Sequence, residues 1–236
     1  MSDALHPRIL VLGGGPDAER DVSLKSSSAI AQALRDSGRF AVDLQIIDTL
    51  SLDALRALPA DLIFPYLHGP WGEGGPLQDL LEADGRPFVG SGARASRAAM
   101  DKIATKAAAL DIGIPTPPVW ILNTRDPVCP TTLPVIIKPV HEGSTVGLHV
   151  CTSHKRFADA VDAIRTEQAA ALAAGKPVRT YMIEPKVVGP GGRPARELTV
   201  GILDGVALPL IEIRPKDGLY DYEAKYTRND TQYLVG

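Results

Sequence analysis

Lys138 closes the short apolar run "VIIK" and is followed by "PVHEGSTVG", in which Glu142, Gly143, Ser144 and Thr145 come before a second glycine. A buried strand that delivers a cation to such a loop suits an anion. Backbone N–H groups in a glycine-flanked loop can turn toward negative charge, and hydroxyls add further donors. The same pattern also suits a strand that simply ends in a solvated connection. Other candidate groups are Lys102 in "MDK", Glu184 and Lys186 on either side of Pro185, Glu197, and Lys225 and Tyr226 at the end of "YEAKY". Two lysines converging from different elements would spread the charge of a polyphosphate. Each group also has a plainer role. Lys102 can be a solvated side chain on an alanine-rich helix, Glu19 and Arg20 can complement a helix dipole, and His68 can be a hydrogen-bonded loop histidine. Neither GxxxxGK[ST] nor a GxGxxG after a strand is present. From the residues alone the reading is a phosphate site between two domains.

The elements that would position these groups alternate at first. "RILVLGGG" reads as a strand running into glycines. A helix follows, in which Val22, Ser26, Ala29, Ile30, Ala33 and Leu34 fall at helical spacing and Gly38 can end it. "AVDLQIID" reads as a strand, "SLDALRAL" as a helix capped by Ser51, and "DLIFPYLHG" as a strand breaking into a Gly/Trp-rich loop. The helix "PLQDLLEADG" has Pro76 in its first turn and Gly85 past its end, and "PFVGS" reads as a short strand. Such alternation predicts a parallel sheet covered on both faces, with its functional loops, "GGGPDAER" and "LHGPWGEGG", at the carboxyl ends of the strands.

A single long helix, "ASRAAMDKIATKAAALDIG", leads into the proline-rich "IPTPP", and a domain boundary is expected close to it. Beyond it come the strand carrying Lys138, a helix over roughly residues 155–174, the strand "YMIEPKVV", and a hairpin "ELTVGILDGVALPLIEI" turning on Asp204-Gly205. This predicts an α+β unit with an antiparallel sheet. The closing "RPKDGLYDYEAKYTRNDTQYLVG" shows no clear period and reads as a functional or mobile loop.

At 236 residues the chain is long enough for one large domain or two small ones. A net charge of -3 gives no electrostatic footprint for nucleic acid or an anionic membrane. The two cysteines, Cys129 and Cys151, have no metal-ligand spacing and read as reduced thiols. No signal peptide and no membrane-length apolar run is seen. The expected setting is cytoplasmic, without nucleic-acid or membrane partners.

The ordered segments "VLGGGPDAERDVSLKS", "FPYLHGPWGEGGPLQDLLEADGRPFVGSG", "AMDKIATK", "IPTPP", "VIIKPVHEGSTVG", "RELTVGIL" and "EIRPKDGLYDYEAKYTRNDTQY" resemble the D-alanine–D-alanine ligases of the ATP-grasp superfamily, nearly end to end. The resemblance implies an N-terminal parallel α/β domain holding the first D-alanine (1–92). A central ATP-grasp domain with the phosphate lid (93–184) would follow, and then the start of a C-terminal ATP-grasp domain (185–236). It implies ATP and Mg²⁺ (or Mn²⁺) as cofactors, D-alanine as substrate, and a homodimer when full length.

Lys102 and Lys138 match the lysines that hold ATP phosphates, and Glu142, Gly143 and Thr145 match the lid over them. Glu184, Lys186 and Val187 match the strand along the adenine, Glu197 the acid on the ribose, and Lys225 the lysine of the mobile loop. Glu19 resembles the acid on the D-alanine ammonium, with Val22 and His68 lining the same pocket. Glu19, Ser144 and Tyr226 resemble a hydrogen-bonded triad that closes the site. The implied reaction joins two D-alanines through an acylphosphate for peptidoglycan precursors. Kindred readings are a D-alanine–D-lactate or D-alanine–D-serine ligase, or a non-catalytic nucleotide-binding fragment. Tyr226 favours the dipeptide ligase, because the depsipeptide-forming relatives lack this tyrosine.

Three features depart from the family pattern: "GEGG", Pro185 in the adenine strand, and the long "VVGPGGRPARE". The family pattern also continues past "TQYLVG". There it carries the metal ligands, an arginine that stabilises the tetrahedral intermediate, and much of the second D-alanine site. The expectation is a C-terminally incomplete chain with no metal ligands of its own, which does not by itself turn over.

Overall fold

The computed structural model describes residues 6–216, 220 and 222–236, with the side chains of 222 and 223 left aside. Residues 217–219 and 221, inside the "KDGLYDYEAKY" segment, lie outside the described residues, as do 1–5 of the N-terminal reading. The chain forms two compact units, Met1–Ala108 and Ala109–Gly236.

The first unit contains β1 (Arg8–Gly14), α1 (Arg20–Asp36), β2 (Ala41–Ile47), α2 (Leu52–Ala57), β3 (Leu62–Pro65), α3 (Gly69–Gly72), α4 (Pro76–Asp84) and α5 (Ala93–Met100). α6 (Lys102–Asp111) runs across the division between the units. The three strands form a parallel sheet in the order β2-β1-β3, as the alternation predicts. Pleating explains the two covered faces. Ile9 and Val11 of β1 pack with Ala31 of α1, while Leu10 and Leu12 pack with Leu55, Leu77 and Leu81 of α2 and α4. Ser51 caps α2, accepting a hydrogen bond from the Ala54 N–H at 3.2 Å, and Gly85 ends α4 at φ 86°.

Several expectations need correction. The buried stripe of α1 is Ser23, Ser27 and Ala31, whereas Ala29 and Ala33 are exposed. Steric closeness decides this. A Cβ on Gly13 would lie 2.1 Å from Ser27 Oγ, so only small residues on both sides let the helix sit on the end of β1. The expected long helix is two, α5 and α6. Asp101 between them is extended at φ -84°, ψ 107°. Its carboxylate accepts from the Ile103 and Ala104 N–H groups at 2.8 and 3.0 Å, so α6 begins with its own cap. The "PFVGS" strand shrinks to a parallel bridge between Ile63 and Phe88, and α3 forms one helical turn inside the expected loop.

The second unit contains β4 (Trp120–Ile121), β5 (Val135–Pro139), β6 (His149–Cys151), α7 (His154–Ala173), β7 (Tyr181–Pro185), β8 (Glu197–Thr199), β9 (Ile202–Leu203), β10 (Val206–Ala207), β11 (Ile211–Arg214), α8 (Tyr222–Tyr226) and β12 (Gln232–Val235). Its sheets are antiparallel: β4-β7-β5-β6, β12-β11-β8 and the β9–β10 ribbon. Val135, Ile137, Tyr181 and Ile183 face Phe157, Val161 and Ile164 of α7. The hairpin turns on Asp204-Gly205, both at positive φ (50° and 76°), as a type I′ turn requires. The closing segment is not structureless. It holds α8, and β12 pairs with β11 from Ile211↔Val235 to Arg214↔Gln232. Four exposed residues carry too little periodicity to betray a strand that its partner's edge decides.

Gly13→Ala is expected to destabilise the protein by about 1–3 kcal/mol, the usual range for overpacking. Chemical denaturation checks this, and Gly13→Ala combined with Ser27→Gly should recover part of the loss by vacating the atoms in the way.

Candidate active site

In the first unit the candidate groups gather at the carboxyl ends of β1 and β3. Glu19 precedes the first turn of α1 and is buried, and its carbonyl accepts from the Ser23 N–H at 3.1 Å. Val22 is half-buried on the same turn. Ser23 Oγ accepts from the Gly14 N–H at 2.9 Å and donates to the Tyr66 carbonyl, tying β1, α1 and the end of β3 together. Arg20 reaches the Gly15 and Ile47 carbonyls at 2.7 and 3.1 Å and Asp48 at 2.5 Å.

His68 leads into α3 with its ring edge-on to Tyr66, centroids 5.2 Å apart. Its Nδ1 lies 3.7 Å from Glu73, whose other oxygen accepts from the Gly69 N–H at 3.1 Å. Polar contact with Glu73 raises the imidazole above its ordinary 6.5. Burial opposes the rise, and the charges of Glu73 and Glu19 add to it. His68 Nε2 is buried and meets no hydrogen-bond partner among the described residues. A cleft of about 410 Å³ opens here, lined by Tyr66, His68, Glu73, Gln78, Ser91 and Ser96 among others. Asp17 was not foreseen. Its carboxylate accepts from the Trp71 N–H at 2.9 Å, and burial raises its pKa. An acid directly after "GGGP" was the signal available for it.

Lys102 is the first residue of α6, beside the Asp101 cap. The remaining candidates lie in the second unit. β5 and β7 pair with Ile136 opposite Glu184 and Lys138 opposite Met182. Lys138 and Glu184 therefore share the face turned away from α7, and they form an ion pair. Expected at the phosphates and along the adenine respectively, the two side chains touch. Pro185 ends β7, the Lys186 N–H donates to the Pro134 carbonyl at 2.9 Å, and Val187 is exposed. Glu197 opens β8 opposite Ile213 in the other three-stranded sheet.

The loop after β5 is tightly turned. Gly143 and Thr145 carbonyls accept from the N–H groups of Val146 and Leu148 at 3.0 and 3.2 Å. Ser144 and Thr145 have φ of 46° and 66°, a left-handed backbone that is unusual for any residue but glycine and most of all for a β-branched one. Such strain collects where a loop must present its backbone to something. At its tip Ser144 Oγ lies 3.1 Å from Tyr226 Oη, and Thr145 Oγ1 donates to the Tyr220 carbonyl at 3.2 Å. Lys225 Nζ sits 5.2 Å from the Tyr220 ring centroid. Glu142 accepts from Arg179 Nε at 2.7 Å. Two members of the expected triad, Ser144 and Tyr226, are thus in contact, and Glu19 belongs to the first unit. Among the described residues no three His, Cys, Asp or Glu side chains come together to hold a metal ion.

The family model "D-ala D-ala ligase C-terminus" matches residues 122–236. D-alanine–D-alanine ligase from Syntrophotalea carbinolica is 37% identical over 97% of this chain and 70% of its own length. The Aquifex aeolicus enzyme of the same name is 38% identical over 97% of this chain and 74% of its own length. The structure is similar to D-alanyl-alanine synthetase A from Vibrio cholerae, with TM-score 0.71, 25% identity, and coverage of 98% of this chain and 74% of that one. It is also similar to D-alanine–D-alanine ligase from Bacillus anthracis complexed with ATP, with TM-score 0.72, 26% identity, and coverage of 100% and 72%. A chain that is 37 to 38% identical to the Syntrophotalea carbinolica and Aquifex aeolicus ligases along nearly its whole length belongs to the D-alanine–D-alanine ligase family.

Proposed function

We propose that the protein joins two D-alanine molecules at the expense of ATP, for peptidoglycan precursor synthesis. The observation that carries this reading is the loop after β5, strained at Ser144 and Thr145, beside a lysine on β5 and closed onto Tyr226. In this reading Lys138 and Lys102 hold ATP phosphates, with Glu142, Gly143 and Thr145 forming the lid. Glu184, Lys186 and Val187 flank the adenine, Glu197 takes the ribose, and Lys225 reaches the nucleotide. Lys138 exchanges its partner Glu184 for phosphate oxygens, at least in part, when nucleotide binds.

Residues 1–92 hold the first D-alanine, its ammonium on Glu19, with Val22 and His68 along the pocket. Residues 93–184 and 185–236 carry the nucleotide. The D-alanine carboxylate attacks the γ-phosphorus, ADP leaves, and the amine of a second D-alanine displaces phosphate from the acylphosphate. Water competes for that acyl group, so a closing lid serves the chemistry. Ser144 and Tyr226 close the loop over the bound nucleotide. Mg²⁺ would neutralise phosphate oxygens when bound, and the described residues offer it no ready cluster of ligands. The full-length enzyme works in the cytoplasm as a homodimer. Among the described residues no helix is long and apolar enough to cross a membrane.

The direct test incubates the protein with ATP, Mg²⁺ and D-alanine, with D-lactate or D-serine as competitor, and identifies products by mass. A version extended to the length of the curated relatives, of which this chain covers 70 to 74%, is expected to form D-alanyl-D-alanine with equimolar phosphate. A depsipeptide or a D-alanyl-D-serine product in excess would overturn the substrate assignment. Lys138→Ala should weaken nucleotide binding by roughly 2–4 kcal/mol, the cost of removing one charge from a partly buried pair, while Lys106→Ala should leave it unchanged. Calorimetry with ATP reads both, and equal affinity for Lys138→Ala and parent would remove Lys138 from the phosphate site.

His68 gives a pH signature. Because its pKa is raised in the fold, its pairing with Glu73 stabilises the protein fully below the unfolded value near 6.5. That contribution is lost as pH rises through the higher folded value. Glu73→Gln should bring the imidazole titration down, as followed by NMR. A titration unmoved by that substitution would show that Glu73 does not set it.

A further inference from the structure

The roots of the loop after β5 are held by side chains that the nucleotide reading does not use. Arg179, just before β7, donates to Glu142 at 2.7 Å and to Glu167 of α7 at 3.2 Å. Glu167 accepts in turn from Tyr181 Oη at 2.5 Å. The chain binds again directly after β5, where the Val140 N–H donates to the Thr180 carbonyl at 2.9 Å. At the loop's far root, Gly147 has φ 69°, and a Cβ there would lie 3.0 Å from Tyr181 Oη and 3.0 Å from Pro139 Cγ. One network of α7 and β7 side chains therefore meets the loop at its entrance, through Glu142, and at its exit, under Gly147.

The network and the tip differ in kind. The roots rest on a guanidinium shared between two carboxylates, among the stronger hydrogen-bond types. Among the described contacts, those of the tip are Ser144–Tyr226 and Thr145–Tyr220, between neutral groups, a kind that is weaker and readily exchanged for a ligand's. Tyr181 is almost fully buried, and both burial and Glu167 raise its pKa, so it stays a hydrogen-bond donor across the working pH range.

We propose that Arg179, Glu167 and Tyr181 form a clamp that positions the 140–148 loop, fixing its roots on α7 and β7 so that only its tip closes over the nucleotide. These are positioning residues. They act through Glu142 and the backbone around Gly147, on the face of the sheet opposite Lys138. The inference rests on the nucleotide reading of that loop.

The test compares Arg179→Gln, Arg179→Lys and Tyr181→Phe with the parent, by hydrogen exchange of segment 140–148 and by the calorimetric Kd for ATP. Arg179→Gln should raise the exchange of that segment, while the amides of β5 and β7 keep the parent's protection. It should also raise the Kd for ATP about tenfold, the scale of one lost charge-assisted hydrogen bond. Arg179→Lys, which keeps the charge but not the fork, should recover part of the effect. Loop exchange at the parent's level in Arg179→Gln would overturn the clamp. Exchange raised equally throughout the sheet would also overturn it, by showing a purely structural role. A parent that binds no ATP would defeat the nucleotide reading, and the exchange comparison would still decide the clamp.

Discussion

The pleat of β5 against β7 is the constraint on which the second unit depends. Antiparallel pairing sets Ile137 opposite Ile183 and turns both toward α7, with Val135 and Tyr181 on the same side. The intervening residues, Ile136, Lys138, Met182 and Glu184, must then point the other way. A register slip of one residue would bury the lysine in the α7 core and expose the isoleucines. The apolar demand of α7 is thus what places a cation and an acid together on the face turned away from it, where Met182 and Glu184 are buried. They pair there because a half-buried ammonium needs a partner, and the diagonal position supplies one.

A comparable constraint works in the first unit with opposite means. There the site residues depend on α1 reaching the end of β1, and small side chains make that approach possible. Ser23 and Ser27 are fully buried, and Ser23 satisfies its hydroxyl between the Gly14 N–H and the Tyr66 carbonyl. One buried serine therefore joins the two strand ends from which Glu19 and His68 project. The acids around His68 have the further effect of holding its proton, in a place where its other ring nitrogen meets no partner among the described residues.

Electrostatics also anchors the β8–β11 pair, away from the candidate site. Glu212 is buried beside Arg196 and Arg214, which reach it at 2.7 to 3.0 Å and hold its pKa at about 2. Its ion pairs persist to strongly acidic pH and are lost only as pH falls through that value. Leu198 of β8 and Ile202, Leu203 and Val206 of the separate β9–β10 ribbon are exposed.

Local chemistry was legible in the sequence where one residue type has one physical use. Asp204-Gly205 announced its turn, Ser51 its cap, Gly85 its helix end, and the alternation of strands and helices the parallel sheet, each from forces acting within a few residues. Most candidate residues stood out by their type and place in the sequence, and the resemblance to D-alanine–D-alanine ligases supplied their expected roles. Only the tertiary structure decided the rest. It buried Ser23, Ser27 and Ala31 on α1 rather than Ala29 and Ala33, and made a strand of "QYLV" by offering it the edge of β11. It also paired Lys138 with Glu184 and brought Arg179 to Glu142 and Glu167, across separations of 46, 37 and 12 residues. Such contacts leave no periodic trace along the chain, because they depend on which surfaces meet after the strands have paired.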